Sequence, residues 1–244
     1  MPLLSAPADI AVSHGTGINA YAYHGVASVT SSGKITAYVS GIQLFGYSAA
    51  TVSHTGDITA TNGVGIAASA YNGPVTITAT GNITAFSDGI HGSASTGSTF
   101  VQHTGDIVSA NGNGVYASSL GGSTTVVNSG NVTATSGNGI IALAGGGNIN
   151  VTVSNGTVYG ASAGIQFAFG TTNTLTIASG TTITGGGHAI LTSTGDDTVN
   201  NSGTVTGNVD LGSGANAFNN LAGGLFNIAT ADVGVGNALT NSGT

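Results

Sequence analysis

A glycine returns every 23–26 residues through most of this chain, at Gly33, Gly56, Gly81, Gly105, Gly130, Gly156, Gly180 and Gly203. A second column, Ile18, Ile42, Ile66, Ile90, Val115, Ile140, Ile165 and Ile190, returns every 24–25 residues. Two independent columns that drift together define a structural repeat. A period of this length means one small unit stacked on copies of itself, each burying its apolar side against the next.

Composition then narrows the class. Glycine accounts for 43 of 244 residues, yet it has no three-residue period, which excludes a collagen-like chain. Charged residues are only 4% of the chain: Lys34 is the one cation, the eight acids are all Asp, and the formal net charge is −7. Disordered chains are normally charge-rich and poor in β-branched residues. This one is rich in Val, Ile and Thr, which suit strands. A single cation cannot neutralise phosphates, so nucleic acids and anionic membranes are excluded as partners. No run of 18 apolar residues is present to span a bilayer as a helix. The opening Met1–Pro7 lacks the basic region of a signal peptide, and the absence of Cys excludes a disulfide framework.

The segment Pro74–Gly97 gives the unit in detail. Val75–Thr78, Ile83–Ala85 and Ile90–Gly92 alternate apolar and polar residues, the pattern of half-buried strands. Gly81, Asp88-Gly89 and Ser93–Gly97 break them at corners. Three short strands per roughly 24-residue coil predict an all-β, right-handed parallel β-helix of about ten coils. At ~4.8 Å per coil the rod is on the order of 45–50 Å long. In the second strand, Ile35, Ile58, Ile83, Ile107, Val132, Val158, Ile183 and Val205 face inward. Thr36, Thr59, Thr84, Val108, Thr133, Tyr159, Thr184 and Thr206 face outward. Residues 1–194 read as regular coils, the first incomplete. Residues 195–244 read as shorter, Asn-rich coils of the same solenoid. Neither end carries a polar cap, so the chain is expected to be a segment of a longer protein, with head-to-tail pairing of open coil ends into a fibre as the alternative.

The Asn-Ser-Gly-x-Val-Thr units at 128–133 and 201–206, and the Gly-Asn-Val-Asp-Leu-Gly run at 207–212, resemble bacterial autotransporter passenger domains of type V secretion. The resemblance covers essentially the whole chain and specifies architecture better than activity. It implies export to the outside or surface of a Gram-negative bacterium through a C-terminal β-barrel that lies beyond this sequence. In such passengers the plain solenoid is a stalk or an adhesive surface, and enzymes are inserted domains. No insertion interrupts these repeats.

Candidate chemistry is sparse. Asp57, Asn82, Asp106 and Asn131 form a column just after the corner glycine, a position where Asp and Asn side chains bond local backbone N–H groups. Asp9 and Lys34 head the same column, which suggests a stacked ion triad of Asp9, Lys34 and Asp57. As a glycosidase pair, Asp57 and Asp106 would stand two coils apart, roughly 9–10 Å, at the upper limit for inversion. Asp196 and Asp197 are the densest negative site and a weak calcium candidate, though adjacent strand residues point to opposite faces. His54 and His103 share a column, but Ala79 stands between them, and zinc bonds of about 2.0–2.1 Å cannot span two coils. No cofactor or metal is expected. The outward threonines suggest an ice-binding ladder, interrupted at Val108 and Tyr159. On the third strand, Asn19, Gln43, Ala67, His91, Tyr116, Ile141, Gln166 and Leu191 face outward. Tyr21, Tyr23, Phe45, Tyr47, Tyr71, Phe167 and Phe169 accompany them.

Exposed aromatics on a wall of low charge can stack on sugars or on another protein. The sequence therefore reads as a non-enzymatic, surface-exposed structural or adhesive β-helix segment. Its contact residues are Tyr21, Tyr23, Tyr47 and Tyr116, its partners glycans or cell-surface proteins, and it is not membrane-embedded. A glycan hydrolase or lyase on the same fold is the competing class. An enzyme needs titratable groups gathered in one concavity.

Overall fold

The computed structural model describes the backbone of residues 3–6 and residues 8–244 in full. The reading of Met1–Pro7 as no signal peptide lies outside the residues described with side chains. The chain is an all-β parallel solenoid of about ten turns with roughly 24 residues per turn and no helix among the described residues. No helix long and apolar enough to cross a membrane is present among them, which says nothing of β-barrels.

Each turn contributes one strand to each of three parallel ladders. The first ladder holds the longer strands, such as Ala49–Thr55, Val75–Thr80 and Thr99–Thr104. The second holds three-residue strands, such as Ile58–Ala60, Ile83–Ala85 and Ile107–Ser109. The third holds five-residue strands in its earlier turns, such as Ile18–Ala22, Ile42–Gly46, Ile66–Ala70 and Ile90–Ala94, and shorter ones toward its end. Like residues pair across neighbouring turns: Ile58 with Ile83, Ile83 with Ile107, and Ile66 with Ile90. The inward columns form one continuous core, with Ile35, Ile58, Ile83 and Ile107 each at most 2% exposed. Burying each such side chain contributes about 1.5–3 kcal/mol. Stacking makes every turn both floor and ceiling for its neighbours, so no turn holds its core alone.

Strand lengths differ from the sequence pattern in two of the three ladders. The first strand of the sample coil runs to Thr80 rather than Thr78, and the third to Ala94 rather than Gly92. In both, one more inward residue, Ala79 or Ala94, packs into the core before the corner. The corner itself is set by Gly81, whose φ of 121° is closed to side-chain-bearing residues. One strand, Ile149–Gly160, runs through the first corner unbroken and pairs in both the first and second ladders, with a register irregularity opposite Asn128 and Ser129. That irregularity is the 26-residue interval between Gly130 and Gly156.

The interior also contains a polar column on the first ladder. Ser31, His54, Ala79, His103 and Asn128 follow one another in register and point inward. Further along, the Asn201 amide donates to Asn220 Oδ1 at 2.8 Å, and the Asn220 amide donates to Asn241 Oδ1 at 2.7 Å. Partners in this region are 19 to 21 residues apart, so these turns are tighter than the earlier ones. A narrower turn has less apolar volume to fill, and amide ladders occupy it while satisfying their own hydrogen bonds.

Candidate functional site

The third ladder presents the most distinctive surface. Alternation sends Ile18, Ala20 and Ala22 into the core and leaves Asn19 and Tyr21 outside. The next turn repeats this with Gln43 and Phe45, directly in register with Asn19 and Tyr21. Tyr23, Tyr47 and Tyr71 follow just past the ends of three successive third-ladder strands. Tyr21, Tyr23, Tyr47 and Tyr71 are 43%, 70%, 39% and 56% exposed. Tyr21 lies 6.2 Å from Tyr23 and 6.3 Å from Phe45 between ring centroids, and Tyr47 lies 5.5 Å from Tyr71. The five rings thus form two groups across three turns, the trio Tyr21, Tyr23 and Phe45 and the pair Tyr47 and Tyr71.

Tyr116 stands apart from this group. It is half-buried and stacks on His91 at 4.4 Å. Phe167 belongs to neither surface: it pairs with the inward Ala142 and is 1% exposed. It sits one residue off the outward column, and period-2 alternation turns it inside. Phe169 is exposed and has a φ of 66°, unusual for a side chain of its size.

His91 and Asp88 form a pair that the sequence columns did not reveal. His91 Nδ1 is 2.8 Å from Asp88 Oδ2 across a corner. Asp88 Oδ1 also accepts from the Asn113 backbone N–H at 2.7 Å and its side-chain amide at 3.1 Å. Burial works against the charged carboxylate, but the His91 ring and Asn113 outweigh it and hold the Asp88 carboxyl below its ordinary value. The Asp-x-x-His spacing across a glycine was the available signal.

The corner column works as a chain of caps. Asp57 Oδ1 accepts from the Asn82 N–H at 2.8 Å, Asn82 Oδ1 from the Asp106 N–H at 3.0 Å, and Asp106 Oδ1 from the Asn131 N–H at 2.9 Å. Asn131 Oδ1 passes the pattern on to the Thr157 N–H at 2.9 Å. Each side chain satisfies the backbone of the turn above. Lys34 meets Asp9 through its backbone N–H, at 2.7 Å. Its ammonium makes no ion pair among the described residues, where the one recorded ion pair is His91–Asp88, so the expected triad does not form. Asp57 and Asp106 are both exposed and occupied in capping.

Three more titratable groups are inside. His54 and His103 are 2% and 1% exposed. His54 Nδ1 is 2.9 Å from Ser31 Oγ, while its Nε2 has no hydrogen-bond partner. His103 Nδ1 lies 3.3 Å from Asn128 Oδ1, and its Nε2 lies 3.0 Å from the Gly81 carbonyl oxygen. Burial lowers both imidazoles below their ordinary value, against weaker opposing pulls from the Gly56 and Gly81 carbonyls and from Asp57 and Asp106. Asp197 is fully buried, accepting from Asn173 Nδ2 at 2.8 Å and Thr192 Oγ1 at 2.6 Å. Burial pushes its carboxyl up despite those bonds. Its neighbour Asp196 faces solvent and caps the Ala215 N–H at 2.8 Å. The two carboxylates therefore point apart and do not share a cation. Among the described residues, no three His, Cys, Asp or Glu side chains gather closely enough to hold a metal ion.

Comparison with protein-family profiles, with curated proteins and with solved structures finds no match to this chain. What is established is the architecture: a parallel β-solenoid of about ten turns.

Proposed function

We propose that the chain is a non-enzymatic structural and adhesive solenoid segment, presented outside the cell or on its surface in the manner of an autotransporter passenger. The observation that carries this reading is the aromatic wall along the third ladder, a trio and a pair of rings whose four tyrosines are each at least 39% exposed. Exposed apolar patches of this kind on a regular wall mark contact sites. The distribution of titratable groups supports the non-catalytic part. Asp57 and Asp106 stand two turns apart with Asn82 on the turn between, Asp88 is tied to His91, and Asp197 is sealed in the core. The Asn-Ser-Gly-x-Val-Thr units are the grounds for the passenger resemblance.

The test is attachment of the purified, labelled chain to bacterial and host cells, wild type against a Tyr21→Ala/Tyr23→Ala/Tyr47→Ala variant. Saturable attachment that the triple variant loses supports the reading. Equal attachment by both proteins removes the aromatic face from the account. Turnover of a glycan by the wild-type chain contradicts the non-enzymatic assignment.

A second reading has its own support. On the first ladder Ser28, Thr30 and Ser32 stand in register with Thr51, Ser53 and Thr55, and these with Thr76, Thr78 and Thr80. Such a hydroxyl array could order water as an ice-binding surface does. Thermal hysteresis in dilute solution of the chain would support it, and freezing behaviour equal to buffer would remove it.

A further inference from the structure

The aromatic face carries chemical detail beyond its apolar character. Its ring centroids are 5.5–6.4 Å apart. Tyr21 with Tyr23 and Tyr47 with Tyr71 stack at interplanar angles of 17° and 30°, looser than His91 on Tyr116 at 4.4 Å. What a partner can reach is the exposed part of these rings, which is largest at Tyr23 and Tyr71. Asn19 and Gln43 stand beside them, two residues before Tyr21 and Phe45 on the same paired strands. Each offers an amide, donor and acceptor together. No Asp, Glu, Lys or Arg occurs in the strands Ile18–Ala22, Ile42–Gly46 and Ile66–Ala70 that carry the face.

We infer that this face binds a neutral polysaccharide, with the C–H faces of sugar rings on Tyr21, Tyr23, Phe45, Tyr47 and Tyr71 and sugar hydroxyls on Asn19 and Gln43. The inference rests on the reading of the chain as a contact surface and names what it contacts. Exposed aromatic surface bordered by neutral amides matches sugar rings, which are apolar on their faces and hydroxylated at their edges. The lack of local cations, together with a net charge of −7, disfavours uronic-acid polymers, phosphate headgroups and nucleic acids. The rings span three turns, on the order of 10 Å along the rod. A chain of several sugars covers that distance and a monosaccharide does not, so affinity rises with oligosaccharide length. Tyr116, closed off by His91, takes no part.

The experiment is calorimetric or affinity-electrophoretic titration of the whole chain with cellohexaose and mannohexaose, their disaccharides, and an oligogalacturonate of equal length. The expected result is binding of at least one neutral hexasaccharide, tighter than its disaccharide, with the oligogalacturonate weaker. Tyr21→Ala/Tyr47→Ala weakens it at least tenfold, Asn19→Ala/Gln43→Ala weakens it several-fold, and Tyr116→Ala leaves it unchanged. Tyr21→Leu/Tyr47→Leu keeps apolar bulk but removes the ring faces, and it loses binding with an unchanged melting temperature. No neutral binding, preference for the acidic oligosaccharide, or wild-type binding by the tyrosine variants overturns the inference. If the chain attaches to cells but binds no sugar, and protease treatment of the cells abolishes attachment, the partner is a protein. The inference then fails while the adhesive reading stands. Neither attachment nor sugar binding overturns both.

Discussion

Replacing glycines separates the two constraints that a stacked corner imposes. At Gly105 the φ is 129°, and an added Cβ would lie 2.8 Å from the Gly81 carbonyl carbon and closer still to its oxygen. Gly105 therefore faces both backbone strain and a collision with the turn below. Gly180 has a φ of 80° but nothing within 4 Å of the added carbon, so it faces strain alone. Gly89 has an ordinary φ, but the carbon would meet Ile107 Cγ2 and lie 2.6 Å from the Gly114 oxygen, so it faces collision alone. Gly25 faces neither. A side chain in the left-handed region costs about 1–2 kcal/mol, and overpacking costs about 1–3 kcal/mol. Alanine should then destabilise by about 1–2 kcal/mol at Gly180, about 1–3 at Gly89 and about 2–5 at Gly105. At Gly25 it should be neutral, or stabilise by about 0.4–1 kcal/mol through the unfolded chain. Urea unfolding followed by circular dichroism measures the order, and hydrogen exchange locates the loss to the turns around each site. Gly105→Ala as stable as Gly25→Ala would refute the idea that these corners stack in contact.

Three further outcomes follow from the interior and the corners. His54 and His103 have folded values below the ordinary 6.5, so their contribution is fully present above that value and is lost as pH falls through the folded value. His103→Asn, which matches Asn128 in the same column, should flatten that acid loss in melting temperature measured against pH. Asp197 is raised above its ordinary 3.8, so its contribution is full below that value and is lost as pH rises through the folded value. Asp197→Asn should melt no lower than wild type at pH 7, and a clear drop would mean that the carboxylate is favourably solvated there. Asn82→Ala removes the acceptor for the Asp106 N–H and should cost about 0.5–1.5 kcal/mol by urea unfolding, with faster exchange at that amide.

The columns were legible because stacking writes the same demand into every turn. Ile58, Ile83 and Ile107 meet identical neighbours, so they recur at the same phase, and the second-strand alternation gave the inward and outward sets directly. The corner Asp and Asn residues were equally visible, because each caps the turn above and the requirement repeats. What departs from the repeat was not legible. His54 and His103 were recognised as one column, but a polar residue at an inward phase does not announce whether it lies in the core or under a loop. Phe167 was grouped with exposed aromatics although one step along a strand reverses its face. The Asp88–His91 pair forms across a corner, where strand alternation has no authority. His91 and Tyr116 were legible as neighbours in one outward column, but that the two rings stack at 4.4 Å was not, because a column fixes which residues adjoin and not how their side chains turn.

In-register stacking of successive turns is the claim on which the rest stands, and a chain without cysteine allows it to be tested cleanly. Thr59 and Thr84 are direct partners on neighbouring turns, and Val108 is the partner of Thr84 one turn further. Neighbouring turns place paired Cα atoms about 4.8 Å apart, within disulfide range, and the second turn places them at about 9.6 Å, outside it. Mild oxidation of the Thr59→Cys/Thr84→Cys protein should close an intramolecular disulfide nearly completely, and the Thr59→Cys/Val108→Cys protein should remain reduced. Equal closure of both pairs, or of neither, would contradict the account.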